Sequence, residues 1–307
     1  MFDINIRKLF SFSVLVAFLY FLYIYFRENQ SVLENFYNIE IVFILLFLAL
    51  NVINYFFRSY LNIIIFRCLN ISLKFTESFQ LTYKNTLGNL IGPLKAGSGY
   101  KMHYIYKNYK LEPSKYIALN TSYAILAIIL NFLVFLFCIS YQNRILGLNL
   151  LIIVLYLIGI LLFGVLVLKL LRLLQEKTSI KLLDNLIVGT NSLFENKVNF
   201  LMIVLTTIFY ILLNILTIFL CFDMFSYNVN FLNSAIYSTI GSFSTLIKVT
   251  PGNIGLFEAL MISSVNLHNV EVAEILTSSV FIRLISYLTI GLIYFSNLIG
   301  ATNNRSD

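Results

Sequence analysis

Six stretches of this chain approach the roughly twenty consecutive, mainly apolar residues that a helix needs to cross a bilayer. They are residues 9–26, 39–66, 115–140, 146–171, 199–222 and 273–299. A soluble fold of 307 residues could not hide that much apolar surface, whereas lipid-facing helices have no need to. Composition agrees: 59% of residues are hydrophobic, 11% are charged and the mean hydropathy is +0.87, against about 25% charged in soluble domains. A secreted globular enzyme, a disordered chain and a free nucleic-acid binder are excluded. The fold class is therefore all-α: a polytopic membrane helix bundle forming one integral membrane domain over residues 1–307. Arg7 and Lys8 precede the first apolar run, which has no small-residue cleavage site, so it reads as an uncleaved first helix.

Two further stretches, 76–93 and 231–265, are mildly apolar, interrupted by Gly and Pro, and carry polar side chains at membrane depth. The positive-inside rule treats them as re-entrant rather than crossing. With a cytoplasmic N-terminus, most Lys and Arg, including the run from Lys95 to Lys115, then fall on the inside. The expected arrangement is six full spans plus two re-entrant or broken helices, with both termini cytoplasmic in a plasma (inner) membrane. The two stretches also resemble each other. Gly88 is followed by Lys95, Gly97 and Gly99, and Gly241 by Lys248, Gly252 and Gly255. Such a pairing suits an inverted repeat with halves near 39–140 and 199–299, whose broken helices would mark a binding site at the midplane. Chance similarity among membrane helices is the alternative.

Few charged residues fall near these breaks, and they carry the candidate chemistry. In Val249-Thr-Pro-Gly-Asn-Ile-Gly-Leu-Phe-Glu258, Pro251 suits the first turn of a new helix and Thr250 its cap. The N–H groups of that helix start would favour a phosphate. Gly252 and Gly255 would permit close approach of a helix or head group. Glu258 would be an ionisable group inside the bilayer, with Arg283 of the last span as partner. This pair either locks two helices or touches substrate. In the first break, Pro93, Lys95, Gly97 and Lys101 form a small, basic stretch able to surround a phosphate or, alternatively, to set topology as a snorkelling rim. Arg58, near the inner end of the second span, would anchor to head groups or bind substrate. Residues 172–198 read as an amphipathic cytoplasmic connector. His103 and His268 are isolated, and Cys68, Cys138 and Cys221 are widely scattered, so neither a metal site nor a disulfide framework is expected. Ser98 and Ser122 have no nearby base. No nucleotide-binding motif is present and no cofactor is expected.

At these two motifs the chain resembles the lysylphosphatidylglycerol synthase transmembrane-region family of flippase-like integral membrane proteins. The first family pattern, Pro-x-basic-x-Gly-Glu-x-x-basic, is met by Pro93, Lys95, Gly97 and Lys101, with Ser98 in place of the Glu. The second, Pro-Gly-x-x-Gly-x-x-Glu followed by an Arg in the last helix, is met by Pro251, Gly252, Gly255, Glu258 and Arg283, with Tyr287 trailing. The Glu-Arg pair usual after the first motif is not evident near Ser122.

The resemblance implies a membrane domain that handles or moves anionic lipids, either a phospholipid or a polyprenyl-phosphate-linked glycan. Arg58, Pro93, Lys95, Gly97, Lys101, Pro251, Gly252, Gly255, Glu258 and Arg283 are the candidate substrate-binding residues. Membrane lipids are the expected partners, with a synthase or glycosyltransferase as a protein partner and no nucleic acid. The chain up to Asp307 leaves no room for the soluble aminoacyl-transferring domain of the bifunctional enzymes, so lysyl transfer is not expected. The competing functions are a membrane glycosyltransferase or other transferase, for which Glu258 is the one intramembrane carboxylate on offer, and a scaffold for a soluble synthase.

Overall fold

A computed structural model describes residues 36–91, 96–142, 191–247, 255–264 and 270–303, together with 20, 23, 27, 187, 188 and 253. Among these residues the chain is helical and has no strand. The helices are α1 (Ile41–Arg67), α2 (Phe75–Ile91), α3 (Ala96–Tyr109), α4 (Pro113–Gln142), α5 (Lys197–Met224), α6 (Phe231–Ile247), α7 (Leu256–Ile262) and α8 (Val272–Asn303). Four of them, α1, α4, α5 and α8, are long and apolar enough to cross a membrane. The expected spans 9–26 and 146–171 lie outside the described residues apart from Tyr20 and Tyr23, as does most of the connector 172–198.

Local sequence sets the helix ends. Pro113 opens α4, where its missing N–H costs no bond. The Asn196 side chain accepts from the backbone N–H groups of Val198 and Asn199 at 3.0 Å and caps α5. Asn70 (φ 58°) and Ser226 (φ 59°) take the left-handed conformation that closes α1 and α5. The same bond follows in both: Ile71 N–H donates to the Phe66 carbonyl at 3.1 Å, and Tyr227 N–H to the Phe222 carbonyl at 2.9 Å. Both pairs stand 156 positions apart.

That offset recurs. Ile41 and Lys197 open α1 and α5, and the 17-residue helices α2 and α6 match end to end in the same register. After the breaks, α3 and α7 begin at Ala96 and Leu256, and α4 and α8 at Pro113 and Val272. Packing follows the same exchange. The helices α1 and α5 pack on each other, α2 lies on α1 as α6 lies on α5, α2 meets α8 as α6 meets α4, and α3 touches α4 as α7 touches α8.

The bundle is apolar outside and buries many small polar side chains among an apolar core. Leu201, Leu205, Leu288 and Leu292 are exposed, while Ser59, Thr82, Thr207, Ser234, Thr239 and Ser278 are buried. Many buried hydroxyls return a hydrogen bond to a carbonyl one turn back, as Ser59 does to Tyr55 at 2.6 Å and Thr239 to Ala235 at 2.8 Å. Small polar side chains can then sit between helices without an unmet donor.

Candidate functional site

The first break places a lysine inside the bundle. Helix α2 is described as far as Ile91, and Gly92-Pro93 beyond it lie outside the described residues. The chain then re-enters helix at Ala96 and packs on α2. A Cβ at Gly97 would overlap the Asn85 carbonyl, and one at Gly88 would come within 2.7 Å of the Gly97 Cα, so only glycine permits this crossing. One turn beyond Gly97, Lys101 is carried into the interior, 6% exposed. Its Nζ donates to Asn62 Oδ1 on α1 at 2.6 Å, while Asn62 Nδ2 donates to Thr82 Oγ1 on α2 at 2.9 Å. The ammonium also lies 5.1 Å from the Phe66 ring centre. Residues 96–109 form a helix, so the described part of the expected phosphate-surrounding stretch is helical, and 92–95 lie outside the described residues.

Lys101 borders a cavity of about 530 Å³ between α1, α2, α4, α5 and α6. Arg58, one turn before Asn62, lines the same cavity, with its guanidinium 5.7 Å from the Tyr55 ring centre. Asn85, Asn120 and Asn131 add amide groups to the wall. Among the described residues, no Asp or Glu lines this cavity and neither cation forms an ion pair. Two positive charges there face no carboxylate.

The second break is built differently. The expected start at Pro251 lies outside the described residues; an α-helix runs from Leu256, preceded by Asn253 (φ 63°) and Gly255 (φ 84°), both in the left-handed region. Glu258 Oε2 accepts from the Gly255 N–H at 2.8 Å, so the anion at this helix start is the protein's own carboxylate. Arg283 on α8 grips the same group: Nε lies 2.5 Å from Oε1 and Nη2 3.0 Å from Oε2. Nη2 also donates to the Asn253 carbonyl at 3.0 Å, and Asn253 Nδ2 donates to Ser244 Oγ on α6. Glu258 is almost fully buried and Arg283 largely so. The arrangement is a bidentate, charge-assisted lock joining α6, α7 and α8.

Arg283 lines a second cavity, of about 240 Å³. In the register that relates the helices, its wall repeats that of the first. Asn214 stands at the place of Arg58, Ile218 at that of Asn62, Ser238 at that of Thr82 and Gly241 at that of Asn85. The crossings correspond too: a Cβ on Gly241 would overlap the Phe257 ring, as one on Gly97 would overlap Asn85. The sequence similarity that aligns Gly88 with Gly241 is thus one helical turn out of register. Tyr210 and Ser242 line both cavities and form their shared wall.

Of the sequence-derived candidates, Arg58 and Lys101 meet in the first cavity with Gly97 behind them. Gly255, Glu258 and Arg283 meet beside the second, and the shared wall lies between the two sets. Pro93, Lys95, Pro251 and Gly252 lie outside the described residues. Sequence reasoning misses Asn62, Asn85, Asn120 and Tyr210, since a polar residue within an apolar run does not declare which neighbour it faces.

The family model described as "Lysylphosphatidylglycerol synthase TM region" matches residues 8–293. The chain belongs to this family. Comparison with curated proteins gives no match. Both cavities and the Glu258–Arg283 lock lie within the part of the chain that matches the lysylphosphatidylglycerol synthase transmembrane region. Family and spans together make the protein an integral membrane protein.

Proposed function

We propose that this protein translocates an anionic lipid, a phospholipid or a polyprenyl-phosphate-linked glycan, across the plasma membrane, with both termini in the cytoplasm. One observation carries the reading: Lys101, buried, and Arg58 line an interior cavity with no carboxylate among its described lining residues. Charge at membrane depth is costly and persists where it serves a partner or a polar cavity. A lipid phosphate supplies the missing negative charge and accepts from both cations.

The recurring register of the helices supports two half-repeats, near 39–140 and 199–299, with a cavity in each. In the proposed cycle Arg58 and Lys101 draw the phosphate in from the inner leaflet. The halves then rock about the α1–α5 contact, and the Tyr210–Ser242 wall parts to pass the head group to the cavity of the second half. The Glu258–Arg283 lock holds the α6–α7 break together during this motion. Net uphill movement would require an ion gradient, an energised partner or removal of the product by a partner synthase or glycosyltransferase. The transferase alternative is less well supported, because both Glu258 oxygens already accept hydrogen bonds from Arg283 and one also from Gly255.

Reconstitution tests the proposal. Purified protein in vesicles of phosphatidylcholine and phosphatidylglycerol, seeded with fluorescent phosphatidylglycerol, should make the inner-leaflet probe accessible to external dithionite at least tenfold faster than in protein-free vesicles. Equal rates with and without protein would overturn the reading.

A further inference from the structure

The two cavities occupy equivalent places yet differ in charge, and the difference identifies the head group. Lys101 falls where the second half has Met261, which is buried in one apolar cluster with Phe222. Phe222 in turn corresponds to Phe66, the ring beside the Lys101 ammonium. One half thus buries a methionine where the other buries an ammonium. Arg58 likewise replaces Asn214, and Asn62 replaces Ile218. Among the described residues, the second cavity has one lining cation, Arg283, matched by Glu258, whereas the first has two cations and no acid.

The rest of the first wall accepts hydrogen bonds. Asn120 and Asn131 each donate through Nδ2 to a carbonyl one turn back, to Tyr116 at 2.8 Å and Ala127 at 2.9 Å, which leaves each Oδ1 to receive a donor. Thr207 donates its hydroxyl proton to Ile203 at 2.6 Å and offers lone pairs in the same way. Hydroxyl groups suit this wall. An ammonium would meet neutral acceptors but also the repulsion of Arg58 and Lys101, with no carboxylate to offset it. We infer that the first cavity selects a phosphate ester whose head bears hydroxyl groups and no amine, such as a glycerol or a sugar. This inference deepens the translocation reading by naming the head group, and binding tests it apart from movement.

The full chain in detergent, titrated with short-chain lipids and followed by native mass spectrometry, should bind phosphatidylglycerol at least tenfold more tightly than phosphatidylethanolamine or lysylphosphatidylglycerol. Asn62→Asp places a carboxylate against Lys101, and Asn120→Asp places one elsewhere on the wall. Each should weaken phosphatidylglycerol binding at least tenfold and narrow its margin over the amine-bearing lipids. Should either variant fail to fold, the wild-type preference alone decides. Competition by water-soluble glycerophosphoglycerol at the same concentration would identify a free phosphodiester as ligand, and competition only by the lipid would identify a membrane head group. Equal binding of phosphatidylglycerol and phosphatidylethanolamine would overturn the inference, as would two folded Asp variants that bind phosphatidylglycerol like wild type. Selective binding without lipid movement refutes translocation alone, and unselective binding with movement refutes the head-group inference alone.

Discussion

Glu258→Ala is expected to be among the most damaging single substitutions in this protein. The change removes the partner of a buried guanidinium, frees the Gly255 N–H and leaves the left-handed turn at Asn253–Gly255 without its cap. Breaking a buried ion pair from one side costs about 3–5 kcal/mol, because the remaining charge stays desolvated and unpaired. The lock joins three helices, so the loss should reach the whole second half. Thermal unfolding of the purified protein in detergent should show a transition many degrees lower. The double variant Glu258→Gln with Arg283→Met removes both charges and should recover a substantial part of that loss, since no unpaired ion remains. A fall below about 1 kcal/mol for Glu258→Ala would show that the pair is not a lock, and the carboxylate would again be a candidate for substrate contact.

Gly97→Leu should be comparably severe, for a different reason. Every side chain begins with a Cβ, and at this position the Cβ overlaps the backbone carbonyl of Asn85, which no rotamer change can relieve. Overpacking typically costs about 1–3 kcal/mol, and a clash against backbone belongs at the upper end or beyond. Relief would require α3 to move off α2, carrying Lys101 away from Asn62, so stability and anion binding should fall together. Gly99 provides the control. A Cβ there meets nothing within 4 Å, and Gly99→Ala should be neutral or stabilising by up to about 1 kcal/mol through helix propensity. Equal behaviour of the two glycines in thermal unfolding would contradict the crossing.

The membrane architecture was legible because lipid imposes a simple code. Long apolar runs announced α1, α4, α5 and α8. The partnership of Glu258 with Arg283 was legible too, since few ionisable groups fall in the apolar part of the chain and each needs a counter-charge. Other features were not. Nothing local announced that the Glu258 side chain reaches back to the Gly255 N–H and caps the helix that runs from Leu256. The stretch Gly92–Lys101 suggested a phosphate-cradling loop, yet its described part from Ala96 is helical, Gly97 serves a helix crossing, and Lys101 reaches the cavity.

Arg58 and Lys101 could be noted separately in the sequence, but nothing local brings them together across 43 positions. Asn62, half-buried in the apolar run of α1, gave no sign that it orients Lys101. One signal was available. Aligning Phe75–Ile91 with Phe231–Ile247 end to end, without gaps, gives the register in which Asn85 meets Gly241, and Lys101 becomes the counterpart of Met261 only when the following helices are aligned in turn from Ala96 and Leu256. Matching glycine to glycine obscured it by one turn, since the equivalent crossing uses the glycine of α3 in one half and that of α6 in the other.

The central claim is that an anionic lipid moves by way of the uncompensated charges of the first cavity. The most direct measurement compares dithionite accessibility of fluorescent phosphatidylglycerol in vesicles holding equal amounts of folded wild-type protein and of Arg58→Gln with Lys101→Gln. With both charges removed, the protein-dependent rate should fall at least tenfold, while the thermal transition stays near wild type because neither residue forms an ion pair among the described residues. A double variant that folds and moves the lipid at the wild-type rate would contradict the account.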